Sequence, residues 1–403
     1  MKRSTIGLGL SFVFILSAFI FISCRKQPSP PPQEEFTDEP ALPAEPYDYY
    51  SKNKINNHMA TLGRVLFYDR KLSVNNAVSC GSCHKQEFAF ADNVQFNKGF
   101  NGVPLKRNSP SIQGIRGFVT QMQATFVNGQ WISEPMQDRP TRDNQSPELL
   151  FWDGRQTSVA DMVLNPVLNH NEMNIPDFES LITKLKSLDY YAPLFKNAFG
   201  DENINTERLA LALQSFIACL NTDKPKNFGM QHVSFSGGFA PGIPRSAPSP
   251  TNLVEMGRFL FHAKYNCAKC HDPSHGGGYG NAVSPSQMFN IGLDEKINDR
   301  GLGEITGKPG DMGLFKVPTL QNISLTAPYM HDGRFANLGE VIDHYSHGIK
   351  SNPNLSPDFK ATDGRAKNLN ISPVEKNALI VFLNTLKDED FLTSPLYADP
   401  FKK

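Results

Sequence analysis

Five residues, Cys80-Gly81-Ser82-Cys83-His84, return in kind as Cys267-Ala268-Lys269-Cys270-His271, and any fold of this chain has to accommodate what they hold. Two thiols three positions apart, with an imidazole directly after the second, suit attachment of a haem through both vinyl groups while the histidine ligates the iron. A zinc site also uses Cys-x-x-Cys pairs, but it does not require histidine as the next residue in both. A redox dithiol is the other alternative, and the spacing is short for a structural disulfide. Of the six cysteines, Cys80, Cys83, Cys267 and Cys270 go to two haems and Cys24 to the N-terminal segment. Cys219, in an apolar helical run, reads as core.

The first residues read as an address. Lys2 and Arg3 precede an apolar stretch from Ile6 to Ile22, followed by Ser23 and Cys24, the order of an export signal and short for a spanning helix. Phe21-Ile22-Ser23-Cys24 resembles a bacterial lipobox, whose cysteine is acylated; an uncleaved anchor is the alternative. Either way the body is expected outside the cytoplasm, periplasmic or anchored at the outer membrane, where oxidising conditions prevail. Beyond it, Pro28, Pro30, Pro40 and Pro46 stand among acids and few aliphatics, a composition that stays extended as a tether. The 40 basic and 40 acidic residues leave no footprint for nucleic acid and no polybasic membrane contact. The membrane is reached only through a lipid anchor, and partners are small molecules or another redox protein.

The rest of the chain repeats itself. Leu62-Gly63-Arg64-Val65-Leu66-Phe67 returns as Met256-Gly257-Arg258-Phe259-Leu260-Phe261, each ahead of a Cys-x-x-Cys-His motif. Pro110-Ser111-Ile112-Gln113 returns as Pro318-Thr319-Leu320-Gln321, and Asp153-Gly154-Arg155 as Asp332-Gly333-Arg334. Ala212-Leu213 with Phe216 and Leu220 returns as Ala378-Leu379 with Phe382 and Leu386. Matched landmarks in one order mean one module duplicated. Leu209, Leu213, Phe216, Ile217 and Leu220 share a helical face, as do Leu379, Phe382, Leu383 and Leu386. Ser372-Pro373-Val374-Glu375 is a capping-box start with proline at the first helical position. The 403 residues, 39% hydrophobic, suffice for two domains with cores, and the fold class expected is mainly α. The divisions are an export signal (1–23), a Pro-rich tether (24–49), an N-terminal haem domain (50–227), a Gly/Ser/Pro-rich inter-domain loop (228–250) and a C-terminal haem domain (251–403).

Together with both haem motifs, Phe90-Ala91-Asp92, Arg107-Asn108-Ser109-Pro110, Phe151-Trp152-Asp153-Gly154-Arg155, Glu172-Met173, Lys316-Val317-Pro318-Thr319-Leu320, Ala327-Pro328-Tyr329 and His331-Asp332-Gly333-Arg334 resemble the bacterial di-haem cytochrome c peroxidase and MauG family. The likeness runs from about Met59 to Leu386. It implies two tandem cytochrome c-like haem domains, peroxide reduced at the N-terminal haem, and electrons delivered through the C-terminal one. It also implies His84 and His271 as iron ligands, Glu172 as acid–base and Trp152 as a relay between haems. Asn108, Thr326 and Pro328 match residues that hold a Ca²⁺ in relatives, partly through backbone oxygens.

Peroxide chemistry needs an iron with a vacant sixth position, a proton shuttle and a source of electrons. When the Asp-Gly-Arg landmark is carried across, Tyr345 falls opposite Pro166, which offers no side-chain ligand. The resemblance implies Tyr345 as the distal ligand of the second haem, as in the MauG branch, where a tyrosinate favours ferric and high-valent iron; His344, His347 or Met330 are the alternatives. The stretch Asn97-Lys98-Gly99-Phe100-Asn101-Gly102 lacks the histidine that closes the first haem in peroxidases needing reductive activation, so that haem is expected five-coordinate. Glu172 would move a proton between the peroxide oxygens, or else be an exposed acid in a polar run; Trp152 could serve as interface packing too. Met162 stands where relatives commonly have glutamine. His58, His170, His232, His262 and His275 read as surface or packing.

The leading expectation is an exported di-haem peroxidase reducing hydrogen peroxide with electrons from a small cytochrome c or a cupredoxin. A MauG-like oxidase acting on another substrate through high-valent iron is the second, and a non-enzymatic electron carrier the third. A homodimer is an option for its assembly.

Overall fold

A helix with one apolar stripe must bury that stripe, and the duplicated landmarks say which stripe meets which. The computed structural model describes residues 40–41, 57–115, 122–127, 130–135, 149–220, 251–271 and 288–402. The export signal, Cys24, the tether apart from residues 40–41, the loop 228–250, His232 and His275 lie outside the described residues.

The first half carries α1 (Asn57–Tyr68), the single turn α2 (Cys80–Cys83), α3 (Val159–Leu168), α4 (Phe178–Lys186), α5 (Tyr191–Phe199) and α6 (Thr206–Cys219). The second carries α7 (Leu253–Phe259), α8 (Leu302–Thr306), α9 (Leu338–Asp343), α10 (Pro373–Asn384) and α11 (Glu389–Thr393). Strands are few: β1 (Met122–Val127) pairs with β2 (Gln130–Pro135), and β3 (Met288–Phe289) with β4 (Phe315–Lys316), both antiparallel.

The duplication is visible in the packing. Helix α1 crosses α6 so closely at Gly63 that a Cβ there would fall 1.9 Å from the Ala212 carbonyl oxygen and 2.9 Å from Phe216 Cβ. Helix α7 crosses α10 in the same way, with a Cβ at Gly257 placed 2.1 Å from Ala378 O and 2.5 Å from Phe382 Cβ. Only glycine permits that approach. Next to each crossing, equivalent phenylalanines meet, Phe67 with Phe216 at 5.2 Å and Phe261 with Phe382 at 5.5 Å between centroids. Leu209, Leu213, Phe216, Ile217 and Leu220 are buried, as are Leu379, Phe382, Leu383 and Leu386. Cys219 lies fully inside, as its apolar run implied. The α10 capping box forms, Glu375 N donating to Ser372 Oγ and Ser372 N to Glu375 Oε2.

The Asp-Gly-Arg turns are equivalent as well. Bridges Leu150↔Gln156 and Tyr329↔Phe335 close them, and both share the positive φ of Phe151 (63°) and Gly154 (69°) with Met330 (77°) and Gly333 (61°). Each is followed by a capped helix, Ser158 on α3 and Asn337 on α9.

The end of the chain returns to the first half. Phe391 and Phe401 are buried in the core built by α1 and α6, and Tyr397 packs against it. Arg64 Nε donates to Ala398 O (2.6 Å), Tyr68 Oη to Tyr397 O (2.7 Å) and Gln86 Nε2 to Ser394 O (2.9 Å). No helix among the described residues is long and apolar enough to cross a membrane.

Candidate functional site

The first thiol pair is formed by one helical turn. Ser79 N donates to Ser82 Oγ (2.9 Å) and His84 N to Cys80 O (2.9 Å), which wraps Cys80, Cys83 and His84 around a common axis. Gly81 is required there, since a Cβ would sit 2.4 Å from the Tyr68 ring. His84 Nδ1 lies 3.0 Å from Phe90 O. A carbonyl only accepts, so Nδ1 carries the proton and Nε2 keeps its lone pair for a metal. The second pair is built likewise: His271 N donates to Cys267 O (2.9 Å), and the Pro318 carbonyl beside the His271 ring, like that of Pro110 beside His84, partly opposes the effect of burial on its pKa.

Burial pushes the Cys80, Cys83 and Cys267 thiols up to about 12, lowers His84 and takes His271 down to about 4. Neutral imidazole is the ligating form. No disulfide joins the four thiols. Both motifs border one cavity of about 960 Å³, the first through Cys80 and His84 and the second through Cys267, Cys270 and His271. Paired thiols, an oriented neutral histidine behind each pair and largely apolar walls fit two haem c groups.

Above the first pair stand Met162, Pro166, Asn169 and Glu172, all lining the cavity. Glu172 is half-buried, and burial raises its pKa, while Arg155 and a hydrogen bond from Asn169 Nδ2 to Oε1 (2.7 Å) oppose the rise. The segment around Phe100 is pinned beneath this loop, with Phe100 N donating to Glu172 O (2.8 Å), and Phe100 does not line the cavity.

The second side is built differently. Where α3 carries Pro166 in regular helix, α9 passes into a π turn, His344–Gly348, that carries Tyr345. Such insertions re-aim one side chain. Tyr345 lines the cavity beside Cys267 and Cys270, and burial holds its phenol above the ordinary value. Of the alternatives, Met330 also lines the cavity; His344 is instead buried with Nε2 3.0 Å from Ile291 O, and His347 is exposed.

Between the pairs the halves interlock. Trp152 Nε1 donates to Asn108 O (2.9 Å), Asn108 N to His331 O (2.8 Å) and Lys316 N to Trp152 O (2.9 Å). Trp152 and His331 are the equivalent residues of the two Asp-Gly-Arg turns, and His331 stacks on Phe315 at 3.8 Å and 13°. Arg107 holds Asp299 through two bonds (2.7 and 2.8 Å), contacts Asp153 and reaches Glu304 at 3.1 Å. Burial raises Asp299, but the Arg107 bonds outweigh it and draw the carboxyl down to about 2. Asn108, Thr326 and Pro328 line the same cavity, with the Asn108 carbonyl engaged by Trp152. His58 and His170 are exposed, and His262 packs edge-on against Phe261 and Phe382.

The sequence reading missed Arg107 with Asp299, 192 residues away, and a third Asp-Gly-Arg turn, Asp363-Gly364-Arg365, closed by Lys360↔Ala366. The tripeptide itself was the available signal for the latter.

Two thiol pairs, each backed by an oriented histidine in a mainly helical duplicated fold, define a c-type protein with two covalently bound haems. The profile of the di-haem cytochrome c peroxidase family matches residues 57–228, and relatives of the MauG and cytochrome c peroxidase kinds match along most of the chain. It is 27% identical over 376 residues to the methylamine utilization protein MauG of Methylophilus methylotrophus, covering 93% of this chain and 94% of that one. It is also 27% identical over 293 residues to the cytochrome c551 peroxidase of Nitrosomonas europaea, 72% of each chain. Among solved structures, a MauG-like protein associated with microbial copper homeostasis is 28% identical with a TM-score of 0.62, covering 92% of this chain and 98% of that one. The chain is accordingly a di-haem oxidoreductase with two tandem cytochrome c-like domains.

Proposed function

We propose that this oxidoreductase reduces hydrogen peroxide at the haem carried by Cys80, Cys83 and His84, with electrons entering through the haem on Cys267, Cys270 and His271. The observation that carries the reading is Glu172: a carboxyl with a raised pKa, fixed through Oε1 by Asn169, on the wall above a thiol pair whose opposite face offers Pro166 where the other half offers Tyr345. A haem iron there supplies the centre for breaking the O–O bond. Glu172 Oε2 takes the proton from one peroxide oxygen and returns it to the other, so that H₂O₂, two electrons and two protons give two waters. Met162, a thioether without a donor, leaves this proton path to Glu172 alone among the cavity residues named above the first pair. Trp152 stands between the halves as the relay, and Tyr345 together with His271 would hold the second haem's iron, where a phenolate would favour the ferric state. A Ca²⁺ held through Asn108, Thr326 and Pro328 would draw on backbone oxygens. Export, a lipid anchor on Cys24 and a small cytochrome c or cupredoxin donor complete the reading.

One observation favours a second activity. Tyr345 is aimed into the cavity by the π turn while His344 is held away by Ile291 O, the arrangement suited to a MauG-like oxidase that withdraws electrons from another substrate. Steady-state peroxide consumption with several reduced donors tests the first reading, and loss of turnover in Glu172→Gln with both haem spectra intact is its expected result. Turnover unchanged in that variant refutes it. Peroxide added without donor, leaving a long-lived change in both haem spectra, would assign the second.

A further inference from the structure

A π turn leaves helix carbonyls without their usual partners, and buried carbonyls must find others. Around Tyr345 they come from a segment with no counterpart in the first half. Leu369 N donates to Tyr345 O (3.0 Å), Asn370 N to Ser346 O (2.9 Å) and Ile371 N to Ser346 Oγ (2.8 Å). Upstream, the chain makes a tight hairpin, Lys367 N donating to Phe359 O (2.8 Å) and Ala361 N to Arg365 O (2.8 Å), with the third Asp-Gly-Arg turn at its tip. The hairpin sets the Phe359 ring 5.7 Å from that of Tyr345, inclined by 31°, and both rings line the cavity. Its outer end is fastened by Asp358 to Lys269, which lies between Cys267 and Cys270.

We infer that Phe359 is a positioning residue for Tyr345, and that residues 357–371 form a fixed cover which holds the phenol toward the second thiol pair and keeps small ligands from taking its place. The inference rests on the reading of Tyr345 as the ligand opposite His271. A single phenol competes for iron with water and with any small imidazole or anion, and it wins by being held in place beforehand and by closing the approach to them. Phe359 is placed for both, because its ring packs beside that of Tyr345 on the cavity wall. In the first half α3 runs on to the Glu172 loop instead, and the wall there is Pro166.

The test uses the full chain with both haems. Optical and EPR spectra and imidazole titrations are recorded for the wild type, Tyr345→Phe, Phe359→Ala, Phe359→Leu and Asp358→Asn. Tyr345→Phe shows what loss of the phenol does to the second haem; spectra identical to wild type there would overturn the ligand reading itself. With that change seen, the inference expects Phe359→Ala to shift the same signal and to tighten imidazole binding by at least about tenfold, by exposing a competent state that the cover keeps rare. Phe359→Leu, which refills most of the space, returns toward wild type. Asp358→Asn, which releases only the outer fastening, tightens imidazole binding in the same direction without loss of haem. Should Tyr345→Phe change the spectrum while Phe359→Ala and Asp358→Asn leave both spectrum and imidazole affinity at wild-type values, the positioning role is wrong and the ligand reading stands.

Discussion

Replacing Arg107 by methionine would strip the charge that joins the two halves while keeping an aliphatic stem near the Phe315 ring, over which the guanidinium carbon lies at 5.6 Å. The Asp299 side chain is 15% exposed and that of Asp153 5%, so both carboxylates would stay largely buried after losing this partner, Asp299 keeping the Gly301 N–H (3.0 Å) and Asp153 keeping Arg155 (3.0 Å). At about 1.4 kcal/mol per tenfold change in proton affinity, the fall of Asp299 from 3.8 to about 2 amounts to about 2.5 kcal/mol, trimmed to about 2 by solvent screening. Asp153 keeps its bond from Arg155, so the expected loss stays at about 2–3 kcal/mol, at the low end for breaking one side of a buried pair. Lys106 and Glu304 are too exposed to add much. Because Asp299 is depressed, its contribution is complete above about pH 4 and fades as pH falls toward 2. Guanidinium unfolding at pH 7 of wild type, Arg107→Met, Asp299→Asn and the double variant closes a cycle. A loss below about 1 kcal/mol in Arg107→Met, or effects that simply add, would refute the argument that this cluster is a buried, coupled unit.

Three further outcomes are expected. Glu172→Gln lowers kcat/KM for peroxide by about 10²–10⁴; wild-type activity falls as pH drops through an apparent pKa above the ordinary 4.5, since burial favours the neutral acid that cannot accept a proton, and the variant's pH profile lacks that step. Gly63→Ala and Gly257→Ala each destabilise by about 1–3 kcal/mol or more, the carbonyl at the crossing having no room for a methyl, with the first disturbing mainly the spectrum of the haem on His84 and the second that of the haem on His271. Replacing Cys80 and Cys83 together by serine leaves only the second pair able to form thioethers, so covalent haem measured as the pyridine haemochrome falls to half.

What the sequence made legible is what repeats. The glycine of Leu62-Gly63-Arg64, the Ala212 and Phe216 face and the Asp-Gly-Arg turn each occur twice at matching offsets, and one comparison of the chain with itself therefore marked the residues that meet at both helix crossings and the equivalence of Pro166 with Tyr345. Local rules sufficed at Ser372-Pro373-Val374-Glu375, where the cap and the helix are neighbours. What escaped is what occurs once and over distance. Arg107 and Asp299 are each a common charged residue in a polar stretch, and no periodicity announces their meeting. Residues 357–371 carry no apolar period, because their partners are backbone groups exposed by the π turn, itself a one-residue insertion without a sequence mark. The packing of Phe391 and Phe401 on the far half was equally silent, since a short aromatic tail fits any apolar surface it can reach.

That tail makes one half depend on the other. Phe391 and Phe401 lie beyond α10 in the chain, yet they complete the core around α1 and α6. Until that stretch is made, the first half keeps an apolar groove uncovered. Removing residues 389–402 would accordingly injure the half that is most remote along the chain, while the second half keeps its own interior intact.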